Sequence, residues 1–240
     1  MPDRAAIVTG ASRGIGLAIA EVLAEEGYAL TLSARKPDTL EATAERLRSA
    51  GHDVQAVAAN MNDEEAVIGV VEAHRERYGR LDALVNNAGI GVGAGADAHQ
   101  TKLVDLQLDV NLRAIIIFYR ECAEMLKAAG AEHGQALVIN MASIAGKSGQ
   151  AWLSVYSATK FAVVGYTQSM NKELGTAGVK SVAFCPGFVD TDMTEFAKQQ
   201  VPAEEMIKPS DIGEAARFLL RLSPACVVPE IVFQRPDEVL

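Results

Sequence analysis

The feature of this sequence that most constrains its fold is an alternation of short apolar runs with longer helix-forming stretches. We expect strands at 5–9, 29–33, 54–58, 81–85, 136–141, 179–185 and 230–233. We expect helices at 14–26, 39–49, 63–78, 101–129, 153–174 and 209–222. Strands that alternate with helices favour a parallel sheet whose neighbouring strands are joined by crossover helices.

Several expected strands are apolar at every position, as at 83–85 and 136–139. Such a strand is covered on both faces, which in a parallel sheet is done by helices. The sequence has no linker, repeat or low-complexity tract. We therefore predict an α/β fold, a single-domain, doubly wound parallel sheet of the Rossmann type with helices on both faces, over residues 1–240.

The segment 193–208 interrupts this alternation, because it is polar and lies between the sixth strand and the last helix. Ligands of open parallel sheets bind beyond the carboxyl ends of the strands. We therefore predict that residues 193–208 form a substrate lid. The alternative is an ordinary surface helix.

The charge balance excludes some classes of partner. Lys plus Arg number 22 and Asp plus Glu number 31, which gives a formal net charge of −9. A chain this acidic is a poor general binder of nucleic acid or of anionic membranes, although a local basic site can still hold one phosphate. The aliphatic run at 114–118 is too short to span a bilayer. We expect neither nucleic acid nor membrane as a partner.

Cysteine and histidine do not point to a disulfide framework or a metal site. The three cysteines and four histidines are far apart in the sequence, without ligand spacing. The first apolar run meets Gly10 after a few residues and is unlike a signal peptide. We expect reduced thiols, no metal and a cytoplasmic location.

A glycine-rich turn follows the first expected strand and opens the first helix, with the sequence Thr-Gly-Ala-Ser-Arg-Gly-Ile-Gly at 9–16. Gly10 permits a tight turn, Gly14 permits close approach of a pyrophosphate, and Gly16 lets the helix pack on the sheet. The positive end of the helix then faces the phosphates. This position predicts a dinucleotide site; the alternative is a turn used only for packing.

The end of the second strand bears on the choice between NAD and NADP. A carboxylate there would bind the ribose hydroxyls and repel a 2′-phosphate, but the sequence is Ser-Ala-Arg-Lys at 33–36, with no acid before Asp38. Arg35 offers a planar fork of donors to a phosphate, and Arg13 can approach from the other side. NADP(H) is favoured over NAD(H), unless Arg35 is only a solvated strand-end residue.

Tyr156 and Lys160 are four residues apart, so that both project from one face of a helix. An ammonium near a phenol lowers the pKa of the tyrosine and suits it to proton transfer. The alternative is a surface pair.

Two polar positions point to the same site. Ser143 follows the fifth strand, at the carboxyl edge of the sheet. Asn111 interrupts an apolar helix, which indicates a cap, a buried network or a functional role.

Together these residues resemble the short-chain dehydrogenase/reductase family. The resemblance rests on the glycine turn at 9–16, on Asn-Asn-Ala-Gly at 86–89, and on Pro-Gly at 186–187. It also rests on Asn111, Ser143 and the Tyr156–Lys160 pair, in family order, and it extends from Ile7 to about Asp192. The chain is most similar to 3-oxoacyl thioester reductases and related carbonyl reductases. Taken alone, the run at 86–89 is also compatible with a plain turn.

The resemblance implies one NAD(P)-binding reductase domain and an NADPH-dependent transfer of hydride to a ketone or 3-oxo group of a small or acyl substrate. Tyr156 would be the general acid/base, and Ser143 would hydrogen-bond the substrate oxygen. Lys160 would bind the nicotinamide ribose and keep the pKa of Tyr156 low, while Asn111 would hold a relay water. The alternatives are an NAD(P)-dependent alcohol dehydrogenase working in the oxidative direction and a non-catalytic cofactor-binding protein.

The positions expected to touch the cofactor lie in six short segments and the catalytic pair. They are Gly10, Ser12, Arg13, Gly14, Ile15, Gly16, Arg35, Asn60, Met61, Asn87, Ala88, Gly89, Tyr156, Lys160, Pro186, Gly187, Val189 and Thr191. Asn60 stands where the family commonly has an aspartate near adenine, and its amide can still hydrogen-bond the base.

The substrate pocket is expected to include Ser143, Gln150, Trp152 and Phe188, although core packing explains the two aromatic residues about as well. The last residues lack the glycine pair that many members have after the final strand. A homotetramer is therefore less favoured, and a homodimer through the helices at 101–129 and 153–174 becomes credible.

Overall fold

The computed structural model describes residues 2–199 and 201–236, and these residues form one seven-stranded sheet in which every pairing is parallel. The strands are Ala5–Thr9 (β1), Ala29–Ala34 (β2), Val54–Ala58 (β3), Ala83–Asn86 (β4), Ala136–Met141 (β5), Val179–Pro186 (β6) and Glu230–Phe233 (β7). The predicted α/β fold of the Rossmann type is confirmed.

Helices connect the strands in the order that the sequence predicts. They are Gly14–Glu25 (α1), Pro37–Ser49 (α2), Glu64–Tyr78 (α3), Thr101–Leu108 (α4), Ala114–His133 (α5), Ser154–Leu174 (α6) and Pro209–Leu220 (α7). The side chain of Asp63 caps α3 by accepting hydrogen bonds from the N–H groups of Glu65 and Ala66. Within the described residues, no helix is both long enough and apolar enough to cross a membrane.

The strand order β3-β2-β1-β4-β5-β6-β7 places the first strand beside the fourth. Ile7 of β1 pairs with Thr31 of β2 on one side and with Leu84 of β4 on the other. The chain therefore winds outward from β1 in one direction and then resumes at β4 in the other. The carboxyl ends of β1 and β4 flank the point of reversal, where ligands bind in sheets of this kind.

Two apolar cores cover the two faces of the sheet. Helices α1, α2 and α7 pack on one face through side chains such as Ile19, Leu40 and Ile212. Helices α3, α5 and α6 pack on the other, where Phe118 is 1% exposed. Burial of one such side chain stabilises the fold by about 2–3 kcal/mol.

The structure differs from the prediction mainly in the expected helix 101–129. This helical stretch runs on to His133, and a π-helical turn at Asp109–Arg113 separates α4 from α5. A π turn widens the helix by one residue and is frequent at functional sites. The π turn contains Asn111, the polar residue that interrupts the apolar pattern.

The segment 193–208 contains short 3-10 turns at Asp192–Ala197 and Ala203–Glu205, rather than a regular surface helix. It has a small core of its own, formed by Ala197, Val201 and Met206 with Phe188. Residue 200 lies outside the described residues. The role of this segment as a lid stays a prediction.

Candidate active site

The catalytic candidates from β5 and α6 meet at the carboxyl edge of the sheet. Ser143 follows β5 at the start of the 3-10 turn Ile144–Gly146, and its Oγ accepts a hydrogen bond from the N–H of Ala145 at 3.1 Å. Tyr156 lies in the first turn of α6, close enough for its phenol to hydrogen-bond the Ser143 hydroxyl. Lys160 lies one turn further along α6.

Lys160 is anchored inside the protein. Its side chain is 3% exposed, and Nζ donates a hydrogen bond to the carbonyl oxygen of Met141 at 2.6 Å. The same Nζ lies 5.5 Å from the centre of the Tyr156 ring. Burial lowers the pKa of Lys160 to about 8, so that the ammonium is still charged at neutral pH.

The predicted lowering of the Tyr156 pKa by Lys160 is wrong for the chain by itself. Burial raises the pKa of Tyr156 above its usual value, and the hydrogen bond with Ser143 offsets only part of this rise. Desolvation disfavours the phenolate more strongly than its neighbours stabilise it. Tyr156 therefore carries its proton at neutral pH, which is the state that a proton donor needs.

Asn111 holds the loop that follows β4. Its Oδ1 accepts a hydrogen bond from the N–H of Ile90 at 2.8 Å, and its Nδ2 donates to the carbonyl of Ile90 at 2.8 Å and to Thr159 Oγ1 at 3.1 Å. Since Asn111 is 0% exposed, these bonds satisfy an amide that would otherwise be costly to bury. The side chain thus links the loop to α6.

Gly89 lies beside polar atoms of both Asn111 and Lys160. A Cβ built on Gly89 would lie 3.3 Å from Asn111 Oδ1 and 3.5 Å from Lys160 Nζ, so a side chain there would crowd the Asn111 amide. The relay water that the family resemblance implies stays a prediction.

The glycine turn has the backbone geometry that its residues suggest. Gly10 and Gly14 have φ angles of +64° and +59°, in the region that favours glycine. A Cβ on Gly10 would come within 2.7 Å of Asn87 Nδ2, and one on Gly16 within 2.4 Å of the Gly10 carbonyl oxygen. A side chain at Gly10 or Gly16 would force the turn and the end of β4 apart.

The residues of this turn fit a dinucleotide phosphate. No side chain among the described residues caps the start of α1, so the first N–H groups of the helix are available to an anion. The methyl group of Thr191 would lie 3.1 Å from a Cβ on Gly14, which places the loop after β6 directly over the turn. The predicted cofactor segments on β1 and after β6 are therefore neighbours in space.

The two arginines expected at a 2′-phosphate differ in their surroundings. Arg35 is exposed at the end of β2, and no hydrogen bond or ion pair to it occurs among the described residues. Arg13 instead forms an ion pair with Asp192. Both side chains of this pair are exposed, and the expected approach of Arg13 to the phosphate stays a prediction.

Other predicted cofactor positions fall at the same edge. The N–H groups of Asn87 and Ala88 each donate to Thr9 Oγ1 at 3.0 Å, which joins the end of β4 to the end of β1. Pro186 closes β6, and its carbonyl accepts a hydrogen bond from Ser143 at 3.4 Å. The side chain of Met61 packs in the core at 6% exposed and lines a small cavity together with Thr9 and Ala88.

The remaining predicted cofactor positions are placed as follows. Asn60 is exposed, Val189 is buried, and Ser12, Ile15 and Gly187 are half-buried.

The predicted pocket residues differ in their burial and in their contacts. Gln150 is half-buried near the start of α6, where its N–H donates to Ser157 Oγ at 3.1 Å. Trp152 is 62% exposed. Phe188 packs against the small core of the 193–208 segment and contacts Phe196 edge to face, with ring centres 6.3 Å apart. A packing role is therefore established for Phe188, while its contact with a substrate stays a prediction.

Sequence reasoning missed several residues that hold the site together. Thr9 accepts the two N–H groups after β4, and Thr159 accepts the amide of Asn111. Asn140 in β5 bonds Asn86 in β4, Tyr119 in α5 and Thr167 in α6, at 2.8–2.9 Å. A polar residue inside an apolar strand is the signal that could have identified Thr9 and Asn140.

Comparison with known proteins gives a consistent result. The family model described as short chain dehydrogenase matches residues 4–202. The 3-oxoacyl-[acyl-carrier-protein] reductase of Staphylococcus aureus is 33% identical over 225 residues, which cover 90% of each protein.

Two solved structures share the whole fold. An alcohol dehydrogenase from Thermococcus sibiricus, complexed with 5-hydroxy-NADP, superposes with a TM-score of 0.86 at 31% identity, over 98% of this chain and 99% of that one. A 3-ketoacyl-(acyl-carrier-protein) reductase from Brucella melitensis, complexed with NADH, gives 0.86 at 29% identity over 96% of each chain.

Proposed function

Because the chain belongs to the short chain dehydrogenase family, we propose that it is an NADPH-dependent reductase of ketones or 3-oxo groups with Tyr156 as the proton donor. Membership of the family makes it an oxidoreductase that acts on C=O or CH–OH groups. The observation that carries the finer proposal is the meeting of Ser143, Tyr156 and Lys160 at one edge of the sheet.

The proposed chemistry divides between the cofactor and the chain. NADPH, when bound, supplies the hydride that reaches the carbonyl carbon. Tyr156, protonated at neutral pH, gives its phenolic proton to the carbonyl oxygen as negative charge develops there. Ser143 donates a second hydrogen bond to the same oxygen, and two preplaced donors stabilise the charge of the transition state. The product is the alcohol.

Lys160 supports the proton transfer by its charge. Its ammonium is held at a fixed distance from the Tyr156 ring by the carbonyl of Met141. When Tyr156 gives up its proton, this positive charge stabilises the phenolate that remains. The N–H groups of the Lys160 ammonium that do not bond Met141 are available to the nicotinamide ribose. Asn111 positions the neighbouring loop through its hydrogen bonds to Ile90.

The preference for NADPH rests on the end of β2. Arg35 is exposed without a partner among the described residues, and the strand end carries no carboxylate that would repel a 2′-phosphate. The Thermococcus structure was solved with an NADP derivative and the Brucella structure with NADH, so relatives of this chain bind cofactors with and without the 2′-phosphate.

Oxidation of an alcohol is the second candidate. The name of the Thermococcus relative, an alcohol dehydrogenase, favours it. The same residues serve both directions, since Tyr156 would then accept the proton that it otherwise donates.

We further propose that two copies associate through α4, α5 and α6. Leu108, Ile116 and Phe161 are between 39% and 46% exposed on these helices, and apolar side chains of this size favour contact with a partner surface. Sedimentation of the pure protein distinguishes a dimer from a monomer or a tetramer.

The proposed activity is tested by NADPH oxidation with a panel of ketones and 3-oxo thioesters, for the native protein and for Tyr156→Phe. We expect the variant to lose about a thousandfold in kcat while it still binds NADPH, because only the proton donor is removed. Equal rates in the two proteins would exclude the role of Tyr156. Tight NADPH binding without turnover of any carbonyl would favour a non-catalytic protein.

A further inference from the structure

Trp152 has a backbone conformation that side chains rarely adopt. Its φ is +68°, and it is the one non-glycine residue with a positive φ among residues 2–199 and 201–236. For a bulky residue this conformation is unfavourable and persists only where surrounding contacts hold it, often at ligand-binding sites. One such contact is the hydrogen bond from the N–H of Ala94 to the Trp152 carbonyl at 2.9 Å.

The indole of Trp152 lies face-on against the backbone of Gly93. A Cβ built on Gly93 would lie 2.4–2.5 Å from three neighbouring ring atoms, Cε3, Cδ2 and Cζ3. An edge-on approach would bring one atom much nearer than the other two, so the face of the ring is what meets Gly93. No side chain fits between them, and glycine is required for the contact.

The rest of the indole is open to solvent, since Trp152 is 62% exposed. An exposed tryptophan presents a large apolar area that gains free energy when a ligand covers it. The contact with Gly93 restrains this ring on one side, so less side-chain entropy is lost when a ligand binds the other.

The loop after β4 contacts both the indole and the catalytic tyrosine. A Cβ on Gly91 would be 3.5 Å from Tyr156 Cδ2, at ordinary contact distance from the phenol ring. Gly91 and Gly93 are two residues apart, and two residues of chain span at most about 7 Å. The indole and the phenol therefore lie along the same short stretch of this loop.

We propose that Trp152 is a stacking platform that selects carbonyl substrates with a flat aromatic ring a short distance from the reacting carbon. Aromatic rings stack with an offset on an open indole face, which adds to the gain from burial of apolar area. A saturated ring of the same size lacks the flat face. This inference rests on the proposed reductase function and names its substrate class.

The test compares 2-tetralone with 2-decalone, two bicyclic ketones with the same carbon skeleton, of which only the first has an aromatic ring. For the native protein with NADPH we expect kcat/KM to favour 2-tetralone. In Trp152→Gly the ratio of the two kcat/KM values falls about tenfold, and Trp152→Phe is intermediate. Glycine adopts a positive φ freely, so this variant keeps its fold, which thermal unfolding checks.

Gly93→Ala tests the contact independently. Its methyl group displaces the indole and lowers the ratio as Trp152→Gly does, while in the Trp152→Gly background the same substitution has no further effect. An unchanged ratio in Trp152→Gly, or additive losses in the double variant, would overturn the proposal.

Fluorescence separates failure of the platform from failure of the reductase function. Trp152 is the single tryptophan of the chain, so its emission reports on this position alone. With NADP⁺ present, no reduction takes place, and 2-tetralone should quench or blue-shift the emission to saturation while 2-decalone has a smaller effect. Saturable quenching without any turnover would reject the reductase and retain the platform, whereas unchanged emission at concentrations above KM would reject the platform.

Discussion

The floor and the rim of the site are built in opposite ways. The floor consists of Asn111, Ser143 and Lys160, which are 0–7% exposed and hydrogen-bonded to the protein. The rim carries Arg35 and Trp152, which are exposed and have few partners. A buried polar group is costly unless its partners are fixed, so the floor has one arrangement. In the proposed function, the floor supports the reaction, and the rim selects the cofactor and the substrate.

The largest effect expected from a buried polar group is a pH-dependent loss of stability caused by His74. His74 is 0% exposed and hydrogen-bonds Thr31 and the carbonyl of Arg80. Burial lowers its pKa to about 4 in the fold, against 6.5 for the ordinary group. Above pH 6.5 neither state is protonated. As the pH falls from 6.5 to 4, only the unfolded state binds the proton, so about 3 kcal/mol of stability is lost in that window.

Urea unfolding between pH 7 and pH 4 measures this loss. His74→Gln removes the titrating group, so its free energy of unfolding should fall less steeply over the same window. His52→Gln, at a half-buried position, is the control for loss of a histidine elsewhere in the chain. If the free energy of unfolding falls equally steeply with pH in the native protein and in His74→Gln, burial does not lower the pKa of His74.

The next prediction separates the contribution of Asn111 to stability from its contribution to catalysis. Asn111→Leu leaves the N–H and carbonyl of Ile90 without partners and should cost about 2 kcal/mol of stability. Asn171→Leu is the matched control, because Asn171 makes the same pair of bonds to the backbone of Ser181, at 2.7 and 2.8 Å.

Both variants should unfold at lower urea concentration, but only Asn111→Leu should also lower kcat under conditions where it is fully folded. Equal kcat values in the two variants would reduce Asn111 to a packing role.

The smallest expected effect is a loss of cofactor affinity at the rim. Arg35→Ala should weaken NADPH about tenfold and NADH hardly at all, because only NADPH carries the phosphate that the guanidinium would bind. Lys36→Ala, at the next exposed cation, is the control. Equal losses of affinity for the two cofactors, measured by titration calorimetry, would reject a contact with the 2′-phosphate.

The same contrast explains what the sequence could predict. The expected bounds of every strand agree with the structure to within two residues, because apolar runs and glycine turns mark the ends of strands. The approach of Ser143 to Tyr156 followed from their places after β5 and in α6. The π turn at Asp109–Arg113 was not predicted, since a single asparagine in an apolar helix indicates an irregularity without its geometry.

The rim was predicted least well. The ion pair of Arg13 with Asp192 joins residues 179 positions apart, and no local pattern announces it. The positive φ of Trp152 was not foreseen, because tryptophan is not a residue that marks such a conformation. The sequence predicts a lowered pKa for Tyr156 and the structure gives a raised one, since charge spacing is visible in a sequence and the extent of burial is not.

The central claim, a hydride transfer to a carbonyl with Tyr156 as proton donor, is tested most directly by isotope transfer. NADPH with deuterium at both C4 positions is incubated with 2-tetralone, and the alcohol is analysed by mass spectrometry. We predict one deuterium per molecule, at the carbinol carbon, formed by the native protein and about a thousandfold more slowly by Tyr156→Phe. An alcohol without deuterium, or equal rates in both proteins, would contradict the account.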